Sequence, residues 1–254
     1  MSSSLYLLLS FTLLTQSAIA ANFLFREINS APENLSASFP HWTNQYLNIL
    51  LDDVNATAPP TAYGSISVTK LYPRPHPPSY TLAVCRGDVN FTTCQACLAE
   101  AIIEIRKAGP ENKKSGVMSY ADCLLEYSDV DFFGKIDNES RYIMWECAGD
   151  VGDILVEFKE KRGDFLSQLS EEASVAPKLY AAGELELEGG MKMHGMVQCA
   201  RDLSCADCKK CLDGILSEIE SCLDGMQRAR LLGRSCLIDY QIIYPTFASA
   251  KAIA

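Results

Sequence analysis

Two stretches decide the architecture: Cys85-Arg-Gly-Asp-Val-Asn-Phe-Thr-Thr-Cys94-Gln-Ala-Cys97 and Cys199-Ala-Arg-Asp-Leu-Ser-Cys205-Ala-Asp-Cys208-Lys-Lys-Cys211. Both carry C-x8-C-x2-C spacing, and Cys85, Cys94 and Cys97 recur 114 positions later as Cys199, Cys208 and Cys211. The next pair, Cys123 and Cys236, is offset by 113, and Cys123-Leu-Leu-Glu-Tyr127 matches Cys236-Leu-Ile-Asp-Tyr240. A duplicated unit explains this agreement; chance does not. The break falls near Gly134–Ser140, a polar stretch carrying a sequon, as a linker would. The expected organisation is a leader over 1–20, a first unit over 21–133, a linker over 134–142, a second unit over 143–248 and a tail over 249–254.

Working outward from the cysteines, Cys94, Cys97, Leu98, Ala101, Ile102 and Ile105 follow the i, i+3, i+4 stripe of an amphipathic helix. Cys208, Cys211, Leu212, Ile215, Leu216 and Ile219 repeat it, and Asn90 and Ser204 stand before the two helices as N-caps. An earlier helix in each unit is marked by Tyr46, Leu47, Leu50, Leu51 and Val54, and by Leu155, Phe158, Phe165, Leu166 and Leu169, the second interrupted at Lys161-Arg162-Gly163. Alternating stretches at Ser65–Lys70, Tyr80–Cys85, Gly116–Tyr127 and Arg230–Tyr244 read as strands. The fold class is therefore α+β: two tandem domains, each with two helices on an antiparallel sheet, stapled by disulfides.

Leu5–Leu9 and Phe11–Leu14 form an apolar run before Ala18-Ile19-Ala20, the pattern of a secretory signal peptide cleaved ahead of Ala21. No later run reaches the roughly 20 residues of a membrane span. With 48% apolar residues the chain can bury a core, and a net charge of −10 argues against nucleic acid and anionic membranes as partners. Sequons at Asn34, Asn55, Asn90 and Asn138 are candidate glycosylation sites on a secreted surface.

Disulfides, zinc and thiol redox chemistry compete for the 11 cysteines. Secretion favours disulfides. The three histidines, His41, His76 and His194, have no ligand spacing, and each CxxC lies on an apolar stripe instead of leading an exposed redox helix. Residues i and i+3 on a helix cannot bond to each other without distortion, which suggests Cys85–Cys94 and Cys97–Cys123 in the first unit, and Cys199–Cys208 and Cys211–Cys236 in the second. No metal, cofactor or catalytic residue is assigned: there is no nucleophile elbow, His-Glu-x-x-His or phosphate loop, and nothing pairs a histidine with a nucleophile.

The duplicated motif, followed by a further cysteine about 25 residues on, resembles the ginkbilobin-homologous, or stress-antifungal, domain of plant cysteine-rich repeat secretory proteins. Val197-Gln-Cys-Ala-Arg-Asp-Leu203 and Tyr80–Asp88 are similar to that family's strand-to-helix turn. The resemblance implies two helices on a five-stranded sheet and three disulfides per domain. It assigns Cys147–Cys222 as the third bond of the second unit, with no counterpart in the first, and leaves Cys205 as a spare thiol: reactive, intermolecular, inert, or an exchanged partner for Cys147.

Ginkbilobin-type sugar sites resemble a triad: Asn just after the first cysteine, Arg six residues before the last and Glu five after it. Here those positions hold Ala148, Arg230 and Gln241; in the first unit the last two fall on Val117 and Ser128. Arg230 and Gln241 are thus the candidate carbohydrate-binding residues, in a triad that is largely replaced. Two functions follow: a non-enzymatic defence protein binding a cell-wall or fungal glycan of mannan type, or an apoplastic module binding a receptor ectodomain, another protein or a like domain, including homo-association.

Overall fold

A computed structural model describes residues 23–30, 42–71, 78–108, 113–136, 141–144, 155–222 and 226–245. The first half runs β1 (Phe23–Ser30), α1 (Trp42–Thr57), β2 (Tyr63–Ser67), a one-turn helix (Val68–Leu71), β3 (Tyr80–Cys85), α2 (Phe91–Lys107), β4 (Lys113–Tyr120) and β5 (Cys123–Ser128). The second runs β6 (Arg141–Met144), α3 (Leu155–Val175), β7 (Tyr180–Glu186), a short 3-10 turn, β8 (Lys192–Cys199), α4 (Cys205–Cys222), β9 (Arg228–Gly233) and β10 (Cys236–Ile243). Each half is an antiparallel five-stranded sheet, ordered β1-β4-β5-β3-β2 and β6-β9-β10-β8-β7, so the two topologies superpose strand for strand.

The α2 stripe buries Cys94, Cys97, Leu98, Ala101, Ile102 and Ile105 against the sheet, beside Leu47, Leu50, Leu51 and Val54 of α1. Asn90 caps α2 by accepting the Thr93 N–H at 2.9 Å, and Ser204 caps α4 by accepting the Asp207 N–H at 3.1 Å. Cysteine pairs Cys85–Cys94, Cys97–Cys123, Cys199–Cys208 and Cys211–Cys236 are bonded, pinning each second helix to β3–β5 or β8–β10. Each bond contributes about 2–4 kcal/mol by constraining the unfolded chain. Cys147 lies outside the described residues, and with it the Cys147–Cys222 pairing. Cys205 is exposed at the start of α4 and has no disulfide partner among the described residues.

Three expectations from the sequence are corrected. Ser65–Lys70 is not one strand: β2 ends at Ser67 and Val68–Leu71 turns helical, burying Val68. The long stretches Gly116–Tyr127 and Arg230–Tyr244 are hairpins that turn at 121–122 and 234–235. And α3 is uninterrupted through Lys161-Arg162-Gly163. Arg162 is only 2% exposed, its guanidinium 5.3 Å from the Phe158 ring centre and 5.5 Å from that of Tyr240, and NH1 donates to the Tyr240 hydroxyl at 3.1 Å. A residue that reads as a helix-face charge is instead a core filler, its stem and planar head stacked on aromatics.

The duplication extends to backbone strain. Ala62 and Leu179, the residues before β2 and β7, both sit at positive φ (60° and 48°), and their carbonyls accept the Cys85 and Cys199 N–H groups, each at 2.9 Å. Neither residue type favours this region, so the repeated departure is held by the turn that delivers each disulfide cysteine.

Candidate functional site: two related grooves between the halves

The helices cover one face of each sheet, and the halves meet over the edge of the other face. Val84, Ser119, Leu124 and their equivalents Gln198, Leu232 and Leu237 enclose a void of about 40 Å³ at the junction. Because the lining residues come in equivalent pairs, the halves are related by an approximate two-fold axis, as in a symmetric dimer made within one chain.

The contacts around that axis are not symmetric. Gln198, 4% exposed, accepts the Gly87 N–H at 3.0 Å and donates to the Cys85 carbonyl at 3.0 Å, two bonds its counterpart Val84 cannot make. Lys178 donates to the Gly87 carbonyl at 2.7 Å. Gly87 is required here: a Cβ would lie 2.4 Å from the Tyr180 ring. Its counterpart Arg201 instead places its guanidinium 5.6 Å from the Tyr63 ring centre and donates to the Thr61 carbonyl. Arg234, on the β9–β10 turn, crosses to Glu126 at 3.4 Å and Glu27 at 3.8 Å in the first half.

Between each sheet's outer face and the post-strand loop of the other half lies a groove. The second-sheet groove, about 360 Å³, has Met196, Asp239 and Gln241 on the sheet and Arg86 and Asp88 on the opposing loop. The first-sheet groove, about 740 Å³, has Leu82, Glu126 and Ser128 on the sheet and Ala200 and Asp202 on the loop, residue for residue the same positions, with Phe132, Lys135 and Ile136 from the connecting segment added. Both volumes fall in the range of ligand sites.

In the second-sheet groove Gln241 is paired in register with His194 of β8, which pairs with Glu184 of β7. His194 Nε2 lies 3.3 Å from Glu184 Oε1, and Lys192 reaches the other carboxylate oxygen at 3.2 Å. Tyr180 closes one end; burial, with Asp88 adding to it, pushes its phenol up to about 12, so it serves as a neutral hydrogen-bonding wall. Arg86 holds Asp88 at 2.6 Å and Asp122 at 3.0 Å.

The candidate sugar residues part company here. Gln241 lines the groove; Arg230, 14% exposed, is fixed by both nitrogen donors to Asp239, with Nε at 2.6 Å, so its guanidinium is committed within the sheet. Val117 is buried in the first sheet, Ser128 lines the first groove, and Ala148 lies outside the described residues. No local sequence pattern marks His194 or Glu184 as neighbours of Gln241, because only strand register brings them beside it, or Tyr180, which stands four residues from Glu184 along β7 and lines the same groove. Among the described residues no cluster of three or more metal-ligating side chains occurs, and no helix is long and apolar enough to cross a membrane.

These features define a duplicated, disulfide-stapled α+β module whose concave surfaces are built jointly by its two copies. The chain belongs to the salt stress response/antifungal family, whose profile matches residues 29–130 and again 147–242. It is 39% identical over 252 residues to an antimicrobial ginkbilobin-2-like protein of Castanea crenata, covering 96% of this chain and 98% of that one. It is also 35% identical over 242 residues to cysteine-rich repeat secretory protein 38 of Arabidopsis thaliana, covering 94% and 91%. The fold matches the crystal structure of the tandem DUF26 ectodomain of the A. thaliana cysteine-rich receptor-like protein PDLP8, with a TM-score of 0.71 at 21% identity over 87% of this chain and 98% of that one. The ectodomain of PDLP5 matches with a TM-score of 0.66, also at 21% identity, over 87% and 99%. The protein is extracellular, as its relatives are.

Proposed function

We propose that this is a non-enzymatic plant defence protein, exported by a signal peptide over residues 1–20, that binds a carbohydrate in the second-sheet groove. One observation carries the reading: Gln241, His194 and Glu184 stand side by side in register on the open face of the sheet, next to the apolar Met196 and Ala182 on the same face, with Tyr180 as a wall. A pyranose presents an apolar face of C–H groups and a rim of hydroxyls, and this groove offers an apolar patch beside a row of planar donors and acceptors. Arg230 acts at one remove, holding Asp239 in place. The antimicrobial naming of the C. crenata relative supports the defence role.

The test is binding of the mature protein to mannan and to a glycan array. Gln241→Ala or Glu184→Ala should weaken capture by about tenfold, the effect of removing one hydrogen bond to a charged or well-oriented group. No capture of any glycan would overturn the reading. The commitment of Arg230 to Asp239 favours a second one, an apoplastic protein-interaction module. For that, pull-down from extracellular fluid should recover a protein partner that survives deglycosylation.

A further inference from the structure

The two grooves are copies, and the first-sheet groove lacks the loop arginine of the other. In the second-sheet groove, Arg86 supplies a guanidinium to Asp88 at 2.6 Å and also donates to the Ala121 carbonyl at 3.2 Å. In the first-sheet groove the same two loop positions hold Ala200 and Asp202. The carboxylate is retained and its partner is reduced to a methyl group.

Asp202 shows the consequence. Its Oδ2 accepts the Gly134 N–H at 2.7 Å, while Oδ1 is buried with no hydrogen-bond partner among the described residues. Leaving a buried carboxylate oxygen unpaired is unfavourable, because its desolvation is not offset. Burial raises its pKa, opposed only by backbone N–H groups and by no cationic side chain. The neighbouring cations are directed elsewhere: Arg201 to Tyr63, Thr61 and Pro177, Arg234 to Glu126 and Glu27, and Lys135 to the Asp131 carbonyl at 2.6 Å. The groove lining carries four carboxylates, Glu27, Glu126, Asp131 and Asp202, against Arg234 and Lys135, an excess of two negative charges. Its volume, about 740 Å³ against about 360 Å³ for its twin, leaves room where the second copy is filled.

We propose that the first-sheet groove binds an exogenous guanidinium borne on an alkyl chain, seated against Asp202 where Arg86 sits against Asp88 in the twin. The aliphatic stem lies along Leu82, Phe132 and Ile136, and the head meets the Asp202 carboxylate, with the Ser235 hydroxyl in the place of the Asp122 carboxylate. Guanidinium is favoured over ammonium because the template is an arginine and its planar fork matches a carboxylate edge. The source is a small guanidino amine or an arginine side chain of a partner; both present the same head and stem.

The experiment titrates the full-length mature protein with agmatine and, separately, with a capped Gly-Arg-Gly tripeptide, read by isothermal calorimetry and by amide chemical shifts. The expected result is saturable one-to-one binding that Asp202→Asn weakens about tenfold or more. Tighter binding of the tripeptide assigns the site to a protein partner, and tighter binding of agmatine to a small amine. Ala200→Arg supplies the missing group from within the chain, so it should abolish binding of both probes and raise the melting temperature, whereas Ala200→Gln, similar in reach without the charge, should not raise it. Absence of saturable binding by either probe up to about 10 mM, or binding unchanged in both Asp202→Asn and Ala200→Arg, overturns the proposal. Glycan capture through Gln241 is measured independently, so failure of one site leaves the other standing.

Discussion

Replacing Gln198 by valine, the residue at the matching position of the first half, tests whether the halves are coupled through polar contacts or only by their apolar junction. The side chain is 4% exposed and makes two 3.0 Å hydrogen bonds across the junction, one to a carbonyl of a residue 1% exposed, Cys85, and one from the half-buried Gly87 N–H. A buried carbonyl left unpaired is unfavourable by about 1–3 kcal/mol, and loss of the more accessible N–H bond by about 0.5–1.5 kcal/mol. The sum is about 1.5–4.5 kcal/mol, less whatever the valine methyl groups recover. For a chain of this size 1 kcal/mol corresponds to roughly 2–4 °C, so calorimetry should show the melting transition lowered by roughly 3–18 °C and, with the halves decoupled, broadened or split. Gln95→Val, on the exposed face of α2, is the control and should stay within about 0.5 kcal/mol. A Gln198→Val protein that melts in one sharp transition within about 1 °C of the parent refutes the assignment.

Three further outcomes are expected. Arg162→Ala removes a buried stack and the 3.1 Å bond to Tyr240, and should lower stability by about 2–5 kcal/mol, with Arg162→Met losing less because it keeps the volume; urea midpoints measure both. Glycosite mapping after deglycosylation in heavy-oxygen water should find Asn90 occupied and Asn55 not, since Asn90 is exposed and caps through Oδ1, leaving its amide nitrogen available, whereas the Asn55 oxygen is buried in the last turn of α1. Because burial holds the folded Asp202 pKa above its ordinary 3.8, the native state binds the proton more tightly than the unfolded chain; stability therefore falls as pH rises from below 3.8 through the native value, and urea titrations of Asp202→Asn should lack that decline.

The cysteine spacing made the duplication, the second helix of each half and the topology class legible, because a covalent framework imposes fixed separations on the chain. Strand ends were less so: at Ser65–Lys70 the alternation of Ile66 and Val68 continues past the point where the backbone turns helical, and Val68 is buried in either geometry. Arg162 could not be read, since a charge interrupting an apolar stripe looks solvated until Tyr240, from a strand far along the chain, closes over it beside Phe158, one helical turn away on the same helix. Of the site, Gln241 was visible through the resemblance, but His194, Glu184 and Tyr180 depend on register across β10, β8 and β7, which no local pattern encodes.

What the two copies did with one shared carboxylate shows why the halves are no longer interchangeable. Glu126 and Asp239 occupy equivalent positions on the middle strands β5 and β10, facing the grooves. Asp239 is neutralised from within its own sheet by Arg230, where the first half has buried Val117. Glu126, 3% exposed, is instead met by Arg234 from the other half, where the first half has Ala121. A buried carboxylate needs a cationic partner, and that need has been met once inside a unit and once between units. The second arrangement makes the first sheet's electrostatics depend on the presence of the second half. Arg234 and Gln198 both reach out of the second half and have no equivalents in the first, so two copies of the first half could not form either contact with each other. The junction therefore specifies one unlike pair, and the grooves on either side of it, built from the same positions, are free to hold different ligands.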